Sequence, residues 1–343
     1  MRVSIARHRL HFKQPSRTSR EVLNHKDVWY VKLTDPATNK TGVGECAVFP
    51  GLSCDWTPEY EQRLIEICQA IKNGDNPEIE SYPSIKFGIE SAMTQIRGEH
   101  QGWTSGDVSF TINGLVWMGS EEEMTKRVEE KIAQGFGCVK LKIGGIDFDR
   151  ELAILRSVRE SFSKNTIEIR LDANGAFTPE NALKRLDQLA RFDIHSIEQP
   201  IRQHQWTQMR TVCAESPIPI ALDEELIGIN SGDAKARMLD AIHPAYIILK
   251  PTLCGGLSGS DEWITLATER NIGWWATSAL ESNVGLNAIA NWLAGYNPSL
   301  PQGLGTGALY TNNIPSPLQL RGEKLSRNPL ATWDLSILKW TEL

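Results

Sequence analysis

Short apolar segments alternate with amphipathic helical segments from residue 108 to about residue 307 of this 343-residue chain. Eight candidate strands occupy 108–114, 138–144, 167–174, 194–200, 218–225, 245–251, 272–278 and 302–307. Strands that alternate with helices indicate a parallel sheet, and eight such units predict a (β/α)₈ barrel. A doubly wound open sheet is the alternative.

The first hundred residues follow a different order, with strands before helices. Candidate strands at 1–13, 27–34 and 41–49 precede a helix that Thr57 and Pro58 are expected to open, and a second helix from Ser84. This order predicts a separate α+β domain at 1–105, followed by a barrel at 106–310. The remaining residues, 311–343, are expected to pack back on the first domain.

Charge and cysteine content exclude several classes of protein. The net charge of −6 argues against nucleic acid or an anionic membrane as a partner, but allows a small anionic carboxylate substrate. The six cysteines form no C-x-x-C pair, so free thiols are expected rather than disulfides or a zinc site. No secretory signal and no apolar run of about 18 residues is visible, so the cytoplasm is the expected location. The oligomeric state is left open.

Acidic residues stand at the ends of three successive candidate strands. Asp172, Glu198 and Asp223 follow the apolar runs IEIRL, IHSI and IPIAL at intervals of one strand–helix unit. In a barrel these ends meet at the active-site face, where three close carboxylates repel unless a cation lies between them. The pattern predicts a Mg²⁺ site, with Mn²⁺ as an alternative metal. The competing interpretation is that each acid caps a helix or pairs with a lysine.

Lysines end the neighbouring strands. Lys140 and Lys142 lie two residues apart, so both side chains face the barrel interior, and Lys250 ends the sixth strand across from them. Adjacent ammonium groups and burial are expected to lower the lysine pKa, which makes an amine usable as a general base. The layout predicts proton removal beside a metal-bound carboxylate. A solvated strand end or an ion pair is the alternative for any single lysine.

The motifs VKLKIG, LDANGAF, IEQP, ALDEE and ILKP around these residues resemble those of the enolase superfamily, in its muconate-lactonising subgroup. Four further segments are similar to the o-succinylbenzoate synthase family: PGLS at 50–53, YPSIKFGIESA at 82–92, KPTLCGGL at 250–257 and TSALESNVGL at 277–286. The resemblance covers essentially the whole chain. It implies a barrel whose N-terminal α+β domain and C-terminal tail form a cap over the active site.

The resemblance also implies a reaction and roles for residues. The family dehydrates 2-succinyl-6-hydroxy-2,4-cyclohexadiene-1-carboxylate to o-succinylbenzoate through a Mg²⁺-stabilised enediolate, a step of menaquinone biosynthesis. The metal would be held by Asp172, Glu198 and Asp223. Lys142 would take the α-proton and return it to the departing hydroxyl in a syn elimination. Lys250 would stabilise the enediolate. Substrate-binding or supporting roles are expected for Lys140, Asn174, Ser278, Gly51 and Ser53.

Other functions on the same barrel stay open at this point. Lys142 and Lys250 together would also suit an N-acylamino acid racemase or a dipeptide epimerase. The segment GLGTGALYTNN at 303–313 has no aspartate, which counts against the epimerase. Muconate cycloisomerisation is less favoured because of the PGLS segment, and a non-catalytic ligand-binding barrel is the alternative from another class.

Overall fold

The computed structural model describes residues 1–17, 22–116 and 119–343. Its N-terminal part is an antiparallel sheet covered by helices. The sheet contains β1 (Arg2–Arg17), β2 (Val22–Thr34) and β3 (Thr41–Cys46), and the helices are α1 (Tyr60–Asn73), α2 (Pro83–Arg97) and α3 (Gln101–Thr104). This strands-before-helices unit is the α+β cap that the sequence predicts.

Close packing of β3 against α2 depends on glycine. Gly42 and Gly44 on β3 face Ala92 and Gly88 on α2, and a Cβ at Gly44 would overlap the carbonyl oxygen of Gly88. Only a residue without a side chain allows this approach of strand to helix. The helix therefore lies directly on the sheet, and its far side is available to the barrel.

The start of α1 differs from the prediction. The helix begins at Tyr60 with Glu59 in the capping position, rather than with Thr57 and Pro58. The Tyr60 N–H donates to the Thr57 carbonyl at 3.1 Å, so these residues form a turn before the helix. The error is one of boundary, which local sequence signals define least well.

Seven parallel strands form the second part in chain order, β5 to β11, with helices between them. The strands are β5 (Gly114–Val116), β6 (Cys138–Lys142), β7 (Glu168–Asp172), β8 (Ile194–Glu198), β9 (Ile220–Leu222), β10 (Tyr246–Leu249) and β11 (Gly273–Ala276). The helices are α4 (Glu121–Ala133), α5 (Phe148–Ser161), α6 (Pro179–Ala190), α7 (Trp206–Glu215), α8 (Gly232–Ile242), α9 (Gly256–Glu269) and α10 (Asn283–Leu293). Each strand pairs with the strand that follows it in the chain, which is the order of a barrel. In a doubly wound sheet the strand order reverses, so that fold is excluded.

The eighth barrel position differs from the prediction of a strand at 302–307. In the part of the chain that the structure describes, single bridges pair Gln302 with Ile112 and Gly303 with Thr277, and these close the ring. The segment contains three glycines within five residues, and glycine weakens a strand because it has no side chain to pack. The ring is therefore closed by a short contact instead of a full strand.

The predicted first barrel strand, 108–114, is two strands. β4 (Ser109–Thr111) leaves the barrel and pairs antiparallel with β13 (Lys324–Arg327), which forms a hairpin with β12 (Leu318–Arg321). Only β5 joins the parallel sheet. The C-terminal residues are thus shared between the two parts, because β14 (Thr341–Glu342) pairs with β1 in the cap sheet. The domain limits 1–105, 106–310 and 311–343 stay a prediction.

Successive side chains along the barrel strands point to opposite faces, which separates the apolar core from the charged site. Val139, Leu141, Ile169, Leu171 and Ile197 face outward into one buried apolar cluster beneath the helices. Their neighbours in sequence face inward and are polar, and they include Lys140, Asp172 and Glu198. The same period of two therefore builds the core and delivers charge to the barrel interior.

None of the helices in the described residues is long and apolar enough to cross a membrane. All six cysteines are free, as expected.

Candidate active site

Strand register brings the predicted acids and lysines together. Lys142 on β6 is paired with Asp172 on β7, and Asp172 is paired with Glu198 on β8. Asp223 directly follows β9, and Lys250 directly follows β10. The charged residues thus end five neighbouring strands at the face of the barrel where active sites lie.

The lysines contact the carboxylates directly. Lys140 Nζ donates to Glu198 Oε2 at 2.8 Å and lies 3.0 Å from Asp172 Oδ2. Lys142 Nζ donates to the same Asp172 oxygen at 2.8 Å, and Lys250 Nζ donates to Asp223 Oδ2. Every one of the three acids therefore has an ammonium group against it.

Burial makes these charges strongly dependent on each other. Asp172, Glu198 and Asp223 are at most 2% exposed. Burial and the neighbouring Asp172 raise the pKa of Glu198 to about 8, although Lys140 opposes the shift. For Asp172, burial alone would raise the pKa, but Lys140 and Lys142 outweigh it and hold the pKa below its ordinary value. The cost of burying these charges thus falls on Glu198, whose charged form is disfavoured, whereas the charged form of Asp172 is favoured.

The expectation that the lysine pKa values are lowered is wrong for two of the lysines. Burial lowers the pKa of Lys140, but the attraction of Asp172 and Glu198 is stronger, so the pKa is raised. The pKa of Lys250 is raised in the same way, since Asp223 and Glu198 outweigh its burial. The prediction counted the neighbouring ammonium groups and omitted the acids that lie closer.

The three buried carboxylates are the groups of this site that could bind a metal ion. Across 1–17, 22–116 and 119–343, no three His, Cys, Asp or Glu side chains stand in an arrangement that could hold an ion as they are. The lysines already occupy the carboxylate oxygens, yet Glu198 Oε1 is buried without a hydrogen-bond partner in the described structure. Three buried carboxylates with a free oxygen suit a hard divalent cation, provided that the ammonium groups withdraw.

A cavity opens between the cap and this end of the barrel. The charged residues of the site that line it are Lys140, Lys142, Asp172, Glu224 and Lys250. The remaining lining residues are small, polar or apolar: Leu23, Phe49, Pro50, Leu52, Asn113, Leu115, Asn174, Leu253, Thr277, Ser278, Ala279, Leu280, Gly303, Gly305 and Thr306. The cap thus supplies apolar groups, while the barrel supplies the charged and hydrogen-bonding groups together with further apolar residues such as Leu253 and Leu280.

Three of the predicted supporting residues line the cavity, namely Lys140, Asn174 and Ser278. Asn174 Oδ1 accepts from Lys142 Nζ at 2.6 Å, and its Nδ2 donates to Glu224 Oε1 at 3.0 Å. Ser278 Oγ is 2.7 Å from Thr306 Oγ1 and accepts from Leu280 N at 3.0 Å. Asn174 therefore orients a lysine, whereas Ser278 orders the wall.

The other two, Gly51 and Ser53, lie in the cap loop but outside the lining of the cavity. The Ser53 hydroxyl accepts from the Phe49 N–H at 2.9 Å, so it fixes the loop whose apolar side chains face the cavity. Gly51 has φ +72, a backbone conformation that favours glycine. Their neighbours Phe49, Pro50 and Leu52 line the cavity instead, and the binding roles of Gly51 and Ser53 stay a prediction.

Sequence reasoning missed Gln199, which holds Asp223 in place. Its buried Oε1 accepts from Asp223 N at 3.1 Å and from Glu225 N at 3.3 Å. Its Nε2 donates to Glu225 Oε2 at 3.2 Å. The sequence feature that could have revealed this role is its position directly after Glu198, since a polar residue at a strand end can hydrogen-bond to the end of the neighbouring strand.

Comparison with known proteins identifies the class. A family model described as enolase C-terminal domain-like matches residues 123–325, and one described as the MenC N-terminal domain matches 1–96. The chain is 46% identical to the o-succinylbenzoate synthase of Desulfotalea psychrophila, over 94% of this chain and 98% of that protein. It therefore belongs to the enolase superfamily, whose members depend on a divalent metal ion. Within the superfamily it belongs to the o-succinylbenzoate synthase family, which confirms the resemblance seen in the sequence motifs.

Solved structures agree. The crystal structure of MenC from D. psychrophila has a TM-score of 0.83 and 43% identity, covering 95% of this chain and 99% of that one. A dipeptide epimerase from Cytophaga hutchinsonii, complexed with Mg and the dipeptide D-Ala-L-Val, has a TM-score of 0.82 at 19% identity and covers 99% of this chain and 98% of its own. The second likeness supports the fold alone, and both agree with the predicted barrel and cap.

Proposed function

We propose that this protein is an o-succinylbenzoate synthase, a hydro-lyase of menaquinone biosynthesis. It dehydrates 2-succinyl-6-hydroxy-2,4-cyclohexadiene-1-carboxylate. The observation that carries the proposal is the meeting of Lys142, Lys250 and three buried carboxylates at neighbouring strand ends, where both lysines and Asp172 line one cavity. The identity to the D. psychrophila synthase over nearly the full length of both chains supports the choice of reaction.

Lys142 is the general base. As a neutral amine it removes the proton α to the ring carboxylate, and its hydrogen bond to Asn174 Oδ1 aims Nζ into the cavity. The electron pair of the broken C–H bond becomes the new ring double bond as the C–O bond to the hydroxyl breaks. The proton held on Lys142 passes to the departing hydroxyl, so that water leaves from the same face.

Lys250 provides fixed positive charge on the other side of the cavity. Its Nζ is held by Asp223 Oδ2, so the ammonium group is oriented before the substrate binds. Negative charge that develops on the substrate carboxylate during proton removal is stabilised by this preorganised cation. Lys140 lies deeper and holds Asp172 and Glu198 together, which is a supporting role.

Asp172, Glu198 and Asp223 would hold the divalent cation. Mg²⁺ is the proposed metal, with Mn²⁺ as an alternative, because all three ligands are carboxylate oxygens. When bound, the cation supplies positive charge that attracts the substrate carboxylate and makes its α-proton more acidic. Free thiols throughout the chain favour a reducing compartment, so we place the enzyme in the cytoplasm.

An N-acylamino acid racemase is the second candidate. Lys142 and Lys250 both line the cavity, and two bases are what racemisation requires. A dipeptide epimerase is less favoured, because no acid in 303–313 is available for the ammonium group of a dipeptide.

The test is dehydration of the cyclohexadiene substrate by the purified protein with Mg²⁺, followed by loss of the diene absorbance. Turnover by the wild-type protein, its loss with EDTA, and a fall of at least about 10²-fold in Lys142→Ala would support the proposal. Lys164→Ala is the matched control, since Lys164 is an exposed lysine that pairs with Asp193 at 3.1 Å. No turnover by wild type would overturn the dehydration, and α-proton exchange of N-acylamino acids in D₂O would then test the racemase.

A further inference from the structure

Leu280 lies in an unusual backbone conformation on the wall of the substrate cavity. Its φ of 57° is in the left-handed region, which a residue with a side chain adopts only when its surroundings hold it there. Its N–H donates to Ser278 Oγ, and its carbonyl oxygen accepts from Tyr310 Oη at 2.7 Å. A strained residue at a binding wall requires a structural device that keeps it in place.

Lys26 of the cap is the main part of that device. Its Nζ donates to the carbonyl oxygens of Ala279 at 2.7 Å and Leu280 at 3.0 Å. It also lies 4.1 Å from the centre of the Phe49 ring, whose side chain lines the same cavity. One ammonium group thus joins a cap strand, the cap loop and the segment that follows β11.

Burial of the Lys26 ammonium group costs free energy. A role in positioning other residues accounts for this burial, whereas a role at the protein surface does not. The residue is 4% exposed, and no ion pair joins it to an acid in the described part of the chain. Glu281 and Glu45 are the acids whose charges act on it from a distance. Its hydrogen-bonding capacity is directed to two carbonyl groups of the wall, so removing it would leave both without this donor.

Glu45 fixes the next part of the same segment from the cap side. Its carboxylate accepts from Ser282 N at 3.0 Å and from Gly285 N at 2.9 Å, at the start of α10. The wall therefore continues into a helix that is already anchored. Loss of Lys26 would free Ala279 and Leu280 while leaving that anchor intact.

We propose that Lys26 is a positioning residue that holds Leu280 and Phe49 as one apolar wall against the ring of the substrate. The inference rests on the proposed dehydration and names a determinant of its substrate affinity. Lys26 does not line the cavity, so it acts through the two wall residues and takes no part in proton transfer. Its removal raises KM and leaves kcat nearly unchanged.

The variant that tests this is Lys26→Met, with Lys235→Met as the matched control. Lys235 is also fully buried and also donates to a backbone carbonyl, that of Gly259 at 3.0 Å, but it belongs to α8, pairs with Glu262 on α9 and does not line the cavity. We expect KM to rise about ten-fold in Lys26→Met with kcat within about three-fold, and KM to stay within about two-fold in Lys235→Met. Equal KM in Lys26→Met and wild type, or equal changes in both variants, would overturn the proposal.

Hydrogen exchange separates this inference from the proposed function, because it needs no substrate. The amide of Leu280 should exchange about ten-fold faster in Lys26→Met than in wild type, and at the wild-type rate in Lys235→Met. An unchanged rate would contradict the proposal even if dehydration is observed. Wild-type protein that fails to dehydrate the substrate contradicts the proposed function, and the exchange rates still decide whether Lys26 holds the wall.

Tyr310→Phe provides a second variant if Lys26→Met does not fold. It removes one donor to the Leu280 carbonyl and keeps the ring that packs 4.7 Å from Phe12. We expect KM and the Leu280 exchange rate to rise about three-fold, in the same direction as in Lys26→Met. No change in either quantity would show that the wall does not depend on these donors.

Discussion

The Nζ of Lys140 lies 2.8 Å from Oε2 of Glu198, and the other oxygen of this buried carboxylate has no hydrogen-bond partner in the described structure. The Lys140 ammonium group therefore offsets only part of the negative charge of Glu198, whose pKa stays raised. A divalent cation would provide twice that charge and use the free oxygen as well.

Glu198→Gln should remove most of the stabilisation that Mg²⁺ gives to the protein. A ligand at 100 times its Kd stabilises the folded state by about 2.7 kcal/mol, so the thermal midpoint of wild type should rise on adding Mg²⁺. The amide keeps the shape of the side chain but loses the charge. Asp193→Asn, an exposed acid outside the site, is the control and should respond like wild type. An equal Mg²⁺ response in Glu198→Gln would show that the metal binds elsewhere.

Arginine substitutions should distinguish the roles of the two lysines. Arginine keeps the charge but does not give up its proton in proteins. Lys250→Arg should therefore retain a measurable part of kcat, whereas Lys142→Arg should lose at least about 10²-fold. Steady-state dehydration rates check this. Equal loss in both variants would favour two acid–base lysines and the racemase mechanism.

Asp27 should stabilise the protein at neutral pH and lose this effect in acid. Its hydrogen bonds to Arg9, with help from Arg7, lower its pKa to about 2. Because the folded-state pKa is below that of the unfolded chain, the contribution is present above about pH 4 and is lost as the pH falls through about 2. Asp27→Asn should cost about 1 kcal/mol at pH 7, allowing for solvent screening, and about half as much at pH 3. Urea unfolding at the two pH values measures the difference, and a cost independent of pH would contradict the ion pair.

Gly44→Ala should destabilise the cap more than an alanine at a loop glycine. The added Cβ would overlap the Gly88 carbonyl, so β3 and α2 would have to separate, at a cost of about 3 kcal/mol or more. Gly135→Ala is the comparison: it has φ +90 but open space, so backbone strain alone should cost about 1 kcal/mol. Denaturant unfolding of both variants tests the order, and similar costs would show that the strand and helix can move apart.

The sequence was sufficient to predict the repeated strand–helix units and the charged residues at their strand ends. Asp172, Glu198 and Asp223 were found because each ends an apolar run one strand–helix unit after the last, and barrel geometry brings such ends together. The motifs then identified the family. Strand periodicity also predicted that Lys140 and Lys142 share a face, which the structure bears out.

What could not be predicted depends on contacts between distant segments. The raised pKa of Lys140 follows from two acids on other strands, whose distance from Nζ only the folded structure gives. Lys26 in the sequence is an ordinary strand lysine, and only docking of the cap shows that it holds residues near position 280. The spacing of the barrel units predicted a strand at 302–307, but the three glycines of this segment weaken a strand, and only single bridges form there.

Pairing of β14 with β1 has a consequence for biosynthesis. A ribosome makes the cap strands first, yet their sheet lacks its edge strand until residues 341–342 have been synthesised. Until then the outer edge of β1 presents backbone groups that could pair with another chain, which is a known route to aggregation. Completion of the cap therefore waits for residues 341–342, and a nascent chain carrying the cap strands alone would be the species most in need of a chaperone.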